Sequence, residues 1–583
     1  MRSVIWLKLI SFSFIFCLFT YHMVSSCPQC NSQFEVTDSD LAFYQEVSPE
    51  FNGKKYVIPP PTLCPLCRRQ RRMAFRNERK LYRRKCDASG KEMISIYSPD
   101  IPYAIYDQEV WWSDSWDPLA YGREYDFNRS FFDQFDELWH QVPLIGLWNA
   151  NCENAVYNNN CFSLKDSYMN FNCDYGRNVY FSYVAERCND VMDCAFLFKS
   201  ELCYECIDCR EVYQCYFSRM LENCSECYFS SDLVGCRRCF GCHGLRNKEL
   251  YLFNKQVSQQ EWDSFMSSLI LTTDSIDDYK RRSEAIRLST PQVCSKMVQC
   301  EDCSGDNLFR CRDVNQCFDV ADSEHLRYAI YVPWKTFKVQ DAYAVAGVEL
   351  AYEFLGGGET AFQVAFINNT TNGLSDSYYC VQCVNGSRNL FGCIGLKKKE
   401  YCILNRQYSK EEYEDLVPRV ISNMQTTSMW GEFFPVRISP FGYNETIVQE
   451  YFPLNKEEVL SRGWKWKDYT DATVISGNTV SWNAIPNHIS EISDSIVKDL
   501  LECVSCGKPY RIIQQELVLY RTMKLSVPRK CYECRHRERI SLRRPRALWK
   551  RTCMKCGNDI STSYSPERRE KVYCEECYRK ELY

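Results

Sequence analysis

The chain changes its apolar rhythm several times. A mostly apolar run from Val4 to Phe19, holding Lys8 and preceded by Arg2, reads as a hydrophobic leader ending near Ser25-Ser26. An aromatic stretch follows from Tyr97 to Pro143, with Trp111-Trp112 and Phe131-Phe132 inside it. It predicts a compact connector, helical from about Ser130 to Gln141, whose Trp and Phe residues form core. Beyond Cys152, short apolar segments alternate with Asn/Asp turns and aromatic residues, which predicts short strands. Two helices are marked by capping boxes, Ser258 with Glu261 and Ser409 with Glu412. Residues 430–470 are rich in aromatic and turn residues, and 486–501 read as helical.

Cysteine spacing refines this picture. Fourteen cysteines lie between Cys152 and Cys242, and every interval is a multiple of three. Cys152, Cys173, Cys194, Cys215 and Cys236 recur every 21 residues. A fixed short period predicts stacked repeats. About 21 residues suits one coil of a β-solenoid whose inward positions carry ladders of small, soft side chains. The motif Gly235–Leu245 returns as Gly386–Leu396, so two solenoid blocks are expected, each ending in one of the capped helices. Coils about 4.8 Å apart fall within the Cα range of a disulfide. The ladder cysteines can therefore be thiols, disulfides or metal ligands; reduced thiols are the expectation for an intracellular chain.

The remaining cysteines are paired as CxxC. Cys27/Cys30 and Cys64/Cys67 stand near one end, with Cys503/Cys506, Cys531/Cys534, Cys553/Cys556 and Cys574/Cys577 near the other. Two such knuckles supply the four tetrahedral ligands of a structural zinc site. In a long chain with this spacing, metal is a better reading than a disulfide framework, despite the 37 cysteines. The ends are copies: adding 467 carries Cys64, Cys67, Cys86 and Tyr97-Ser98-Pro99 onto Cys531, Cys534, Cys553 and Tyr564-Ser565-Pro566. Ser89, Asp107 and Val110 then stand where Cys556, Cys574 and Cys577 should be. The expectation is three zinc ions, with the fourth site lost and no open position for catalysis.

Net charge is only −4, so the whole chain makes no case for nucleic acid. The charge is uneven, however. Arg68, Arg69, Arg71, Arg72, Arg76, Arg79, Lys80, Arg83, Arg84 and Lys85 follow the first ribbon. Arg535, Arg537, Arg539, Arg543, Arg544 and Arg546 flank the later one. Dense arginine on a ribbon can contact phosphate; the alternative is a solvated face paired with local Glu78 and Glu538. Only six histidines are present, which argues against a hydrolytic centre.

The leader admits three readings. It is a secretory signal or membrane anchor, an upstream extension with translation starting at Met23, or a buried helix. Cys27, which follows a lipoprotein-like Val24-Ser25-Ser26, is also the first ligand of the module, and a metal-bound thiolate cannot be lipidated. A cytoplasmic location follows unless residues 4–24 act as a signal or anchor.

Several motifs carry a family resemblance. Pro59–Arg72, Phe75–Arg79, Tyr97–Asp100, Trp111–Asp114, Tyr204–Cys209 and Ser439–Thr446 resemble the zinc-ribbon, cysteine-repeat proteins common in candidate-phyla bacteria, often labelled "CaiB/BaiF family protein". The resemblance runs from Cys27 to Tyr583 and departs at Ser89, Asp107 and Val110. The label implies a CoA transferase, but no residue set here supplies that chemistry.

The sequence thus predicts a multidomain, mainly β protein: a cysteine-ladder β-solenoid flanked by terminal zinc ribbons, with a few helices. The units are a leader (1–26), an N-terminal ribbon with a degenerate second ribbon and aromatic connector (27–150), a first solenoid block (151–256), a helical insert (257–290), a second block (291–407), a helix and aromatic connector (408–500) and a C-terminal double ribbon (501–583). The expected role is a non-enzymatic scaffold whose partner is protein or nucleic acid. An enzyme of unknown type, a CoA transferase or a thiol redox protein, is the alternative.

Overall fold

A computed structural model describes residues 23–469 and 479–582. Most of the leader therefore lies outside the described residues. Its last four residues belong to the ribbon: Met23–Ser26 pairs antiparallel with Gln33–Val36. Among the described residues no helix is long and apolar enough to cross a membrane.

The protein is multidomain and dominated by strands, with cysteine clusters towards both ends. The middle consists of parallel ladders. Residues 149–256 hold an eleven-stranded and a four-stranded sheet, and residues 297–407 hold another eleven-stranded sheet. In the first region the parallel strands pair at an offset of twelve: Val191 with Cys203, Leu197 with Cys209, Cys227 with Cys239. The 21-residue spacing is therefore not the pairing repeat. Every third residue enters one buried cluster, so cysteines fall at any multiple of three. The twelve-residue repeat is hidden because Ser, Val, Leu and Ala share its columns.

The backbone explains the step of three. From Asn151 to Phe253 every third residue has a positive φ, including bulky Tyr157, Phe181 and Val184. Such a conformation costs an L-residue about 1–2 kcal/mol in isolation. Here it is held by the ladder: Phe181 N–H donates to Tyr168 O (3.1 Å) and Val184 N–H to Phe171 O (2.9 Å). The second region repeats the pattern but slips. Phe318 pairs with Ile330 at twelve residues, whereas Ile330 meets Tyr343 and Leu374 meets Ser387 at thirteen. Gly357 sits at one slip with φ +92°, and a Cβ there would lie 1.9 Å from Thr370 O.

The buried columns use Cys and Ser interchangeably. One runs Ser182, Cys194, Cys206, Ser218, Ser230, Cys242. Ser230 Oγ donates to Tyr228 O (2.8 Å) and accepts from Cys242 N–H (3.0 Å). Cys206 Sγ donates to Tyr204 O (3.7 Å) and Cys215 O (3.1 Å). The position thus wants a small donor for local carbonyls. Every described cysteine is a free thiol, and burial pushes Cys188 and Cys206 well above the ordinary thiol value.

The other predicted elements are mostly present. Helices Phe131–Gln141, Gln259–Ser268 and Lys410–Thr426 form, the last two with the expected capping boxes. Trp111 and Trp139 are buried as core. Residues 486–501 do not form one helix. They make two 3-10 turns, Ile489–Glu491 and Asp494–Lys498, before the strand Leu500–Glu502. His488 and Ser493 start those turns as N-caps, and each turn ends in extended backbone, at Ile492 and Asp499.

The ribbons cross over. The N-terminal ribbon packs on the second block, with Tyr44 5.1 Å from Tyr352. The C-terminal ribbon packs on the first, where Leu517 and Tyr520 cover an outer ladder of Tyr204, Tyr216, Tyr228 and Phe240.

Candidate metal centres

Each candidate metal centre begins with a hairpin. In the N-terminal ribbon Met23–Ser26 and Gln33–Val36 flank Cys27 and Cys30; in the C-terminal unit Leu500–Glu502 pairs with Pro509–Tyr510 and Trp549–Thr552 with Asp559–Thr562. Four residues after the first cysteine comes a left-handed residue: Asn31 (φ 60°), Gly507 (71°) and Gly557 (79°). Its N–H donates to the first cysteine's carbonyl, at 2.8, 2.9 and 2.9 Å respectively, and closes the knuckle. Gly pays no steric cost there, and Asn little. The second pair is carried on a helix. Cys64 caps Pro65–Met73 and Cys531 caps Tyr532–Ser541.

This brings together all twelve predicted ligands in three groups. Cys27, Cys30, Cys64 and Cys67 form one; Cys503, Cys506, Cys531 and Cys534 a second; Cys553, Cys556, Cys574 and Cys577 a third. Within each group every Sγ lies within 4.8 Å of the others. The closest approaches between knuckles are 3.7 Å for Cys30–Cys64 and 3.8 Å for both Cys506–Cys531 and Cys556–Cys574. Backbone donors favour thiolate at the first cysteine of each set, whereas Cys531 is pushed up to about 12, chiefly by burial, and Cys577 to about 12, chiefly by its hydrogen bond with Cys574. Burial alone would raise Cys503 and Cys553, but surrounding backbone N–H groups outweigh it and hold each down to about 6. Such groups can hold metal ions, three in all among the described residues.

The degenerate fourth module keeps the same frame without the thiols. Gly90 takes φ 70° and its N–H donates to Cys86 O at 2.9 Å. Asp107 N–H donates to Cys86 Sγ (3.3 Å), as Cys574 N–H does to Cys553 Sγ (3.2 Å). Ser89 Oγ then donates to Asp107 Oδ2 (2.8 Å), while Val110 N–H donates to Asp107 Oδ1 (2.9 Å). A hydrogen-bonded carboxylate joins the two knuckles where the other modules offer four sulfurs.

Most arginines of the ribbons point inward, although Arg83 and Arg537 stay exposed. Arg68 is 1 % exposed and meets Asp341 through Nε (2.9 Å) and Nη2 (2.7 Å). Arg72 shares Asp341 (3.0 Å) and reaches Glu353 (3.0 Å), which Arg71 also contacts (2.8 Å). On the other ribbon Arg535 and Arg539 hold Asp193, Arg543 holds Asp208 and Asp319, and Arg546 shares Asp319. The two ribbons also meet: Arg79 pairs with Glu533 (3.1 Å) and stacks over Tyr532. Local partners do occur, as in Arg76–Glu78 and Lys530–Glu538. The carboxylates are the functional residues that spacing did not reveal. Asp193, Asp208, Asp319, Asp341 and Glu353 all occupy left-handed positions of the ladders, a regularity that the twelve-residue repeat would have exposed.

No family model, curated protein or solved structure matches the chain.

Proposed function

We propose that this protein is a zinc-stabilised, non-enzymatic interaction scaffold, a β-solenoid of twelve-residue coils clamped by its two terminal ribbons. The sulfur geometry carries the zinc reading. A zinc–sulfur bond of about 2.3 Å gives a tetrahedral edge of about 3.8 Å, which matches the 3.7–3.8 Å approaches between knuckles. Each set offers four converging thiols and no open position, which suits structure better than redox exchange or catalysis. The coil reading is supported by parallel pairing at twelve residues and the left-handed residue at every third position. Four buried columns per repeat then line a narrow core. The resemblance to zinc-ribbon, cysteine-repeat proteins agrees with both.

The partner we propose is a protein. Most arginines that could meet a phosphate backbone are spent on internal carboxylates, which favours this over nucleic acid. Elemental analysis of the purified chain tests the metal reading: three zinc ions per chain are expected, and one, four or none refutes it. Capture from native lysate with and without nuclease tests the partner; a catch that nuclease abolishes overturns the protein reading.

A further inference from the structure

Between the ribbon helices lies a cleft of about 780 Å³. Arg69 and Met73 of Pro65–Met73 line one side, Arg537 and Ile540 of Tyr532–Ser541 another, and Tyr451 and Phe452 a third. Its size suits a small molecule.

Arg69 distinguishes this cleft. Its neighbours on the same segment each hold a carboxylate: Arg68 and Arg72 hold Asp341, Arg71 holds Glu353, Arg76 holds Glu78, and Arg79 holds Glu450. Arg69 is only 8 % exposed, yet among the described residues no carboxylate pairs with it. Nη1 donates to Arg546 O (2.7 Å) and the guanidinium lies over Phe318 (5.7 Å), while Nε has no partner. Buried guanidinium groups are ordinarily paired. Nε is sealed off from the cleft and Nη1 is taken by Arg546 O, so the edge of this planar, charged fork left to meet an oxyanion is Nη2, which makes no hydrogen bond among the described residues. Met73, Ile540 and Phe452 supply an apolar wall beside it.

We propose that this cleft binds a small molecule bearing a phosphate or carboxylate on an apolar body, with Arg69 as the anion-binding residue. The site goes beyond the scaffold reading, and metal content measured on every sample keeps the two separable. The test is calorimetric titration of the metal-loaded full chain with inorganic phosphate and, in a second arm, with acetate, at constant ionic strength set by chloride. One saturable site is expected for at least one anion, and the better anion names the group. Arg69→Met should bind at least tenfold more weakly with unchanged metal content, and without anion it should melt no lower than the parent. Arg69→Lys should fall between them. Absence of saturable binding in both arms, or an Arg69→Met variant that binds like the parent, overturns the proposal. So does an Arg69→Met variant that melts lower without anion, with Arg69→Lys binding no anion, because Arg69 would then be a structural strut.

Discussion

Replacing Asp341 by Asn tests whether the buried ion pairs lock the N-terminal ribbon to the second block. Asp341 is 0 % exposed and is the carboxylate through which Arg68 is neutralised. The substitution keeps the volume and one acceptor but removes the charge. The backbone does not confound it, because φ is +57° at this position and Asn tolerates the left-handed region. Arg72 keeps Glu353 at 3.0 Å, so one guanidinium, that of Arg68, is left without a carboxylate. Breaking a buried pair costs about 3–5 kcal/mol. Retention of the Arg68 bond to Leu63 O (2.7 Å) places the expected loss at the low end, about 3 kcal/mol. Urea unfolding of the metal-loaded chain, followed by hydrogen exchange in Pro65–Met73, measures it. Adding Arg68→Met should restore most of the loss, since removing both partners together is close to neutral. The pH dependence gives a second handle. Burial alone would raise the Asp341 carboxyl, but Arg68 and Arg72 outweigh it and hold it below its ordinary value. Its contribution is present above the unfolded value near ~3.9 and is lost as pH falls through the lower folded value. The variant should lack that acid limb. A loss under about 1 kcal/mol, or a double variant as unstable as the single one, would refute the reasoning.

Three further outcomes are expected. Ser89→Cys, Asp107→Cys and Val110→Cys together should raise the metal content from three to four by elemental analysis, because the fourth knuckle frame is intact; a count that stays at three disproves that. Cys206→Ser should cost less than about 1 kcal/mol in thermal unfolding, since its column already holds Ser218 and Ser230, whereas Cys206→Leu should cost about 1–3 kcal/mol by overpacking; equal losses would show that the column does not select for size. Asp174 is pushed up to about 7, chiefly by burial, so its ionised form weakens the fold above the unfolded value of ~3.9 and most fully beyond pH 7. Asp174→Asn keeps an acceptor for Phe162 N–H (2.8 Å) and should melt higher than the parent at pH 8 but not at pH 4; a gain independent of pH would contradict the assignment.

The legible parts of the fold were those written in local spacing. CxxC pairs and Ser-x-x-Glu caps need only neighbouring residues, and the twelve CxxC cysteines gather in three groups and both capped helices form where those signals put them. The twelve-residue pairing offset was not legible. Cysteine marks the step of three, but the twelve-residue return is shared among Cys206, Ser218 and Ser230, which look unrelated until strand pairing is known. The arginine partners were less legible still. Arg72 and Asp341 are 269 residues apart and Arg69 and Arg546 O 477, and no local period connects them. The turns at Ile489–Glu491 and Asp494–Lys498 imitated a helix because the side chains that cap them, His488 and Ser493, can start a 3-10 turn as well as an α-helix.

The crossing of the ribbons has a consequence for synthesis. Arg79 reaches its partner Glu450 371 residues later and Tyr532 453 residues later. At 5–20 residues per second the ribosome needs roughly 20–90 seconds to supply the latter. In the first part of that interval, until Asp341 is made 273 residues after Arg68 and Glu353 282 residues after Arg71, Cys27, Cys30, Cys64 and Cys67 can already gather a metal ion while the guanidinium groups beside them await those carboxylates. The first ribbon therefore folds early and docks late. A chain halted before Asp341 keeps Arg68, Arg71 and Arg72 without the carboxylates that bury them in the finished protein, a mark by which chaperones and proteases can tell an interrupted product from a completed one.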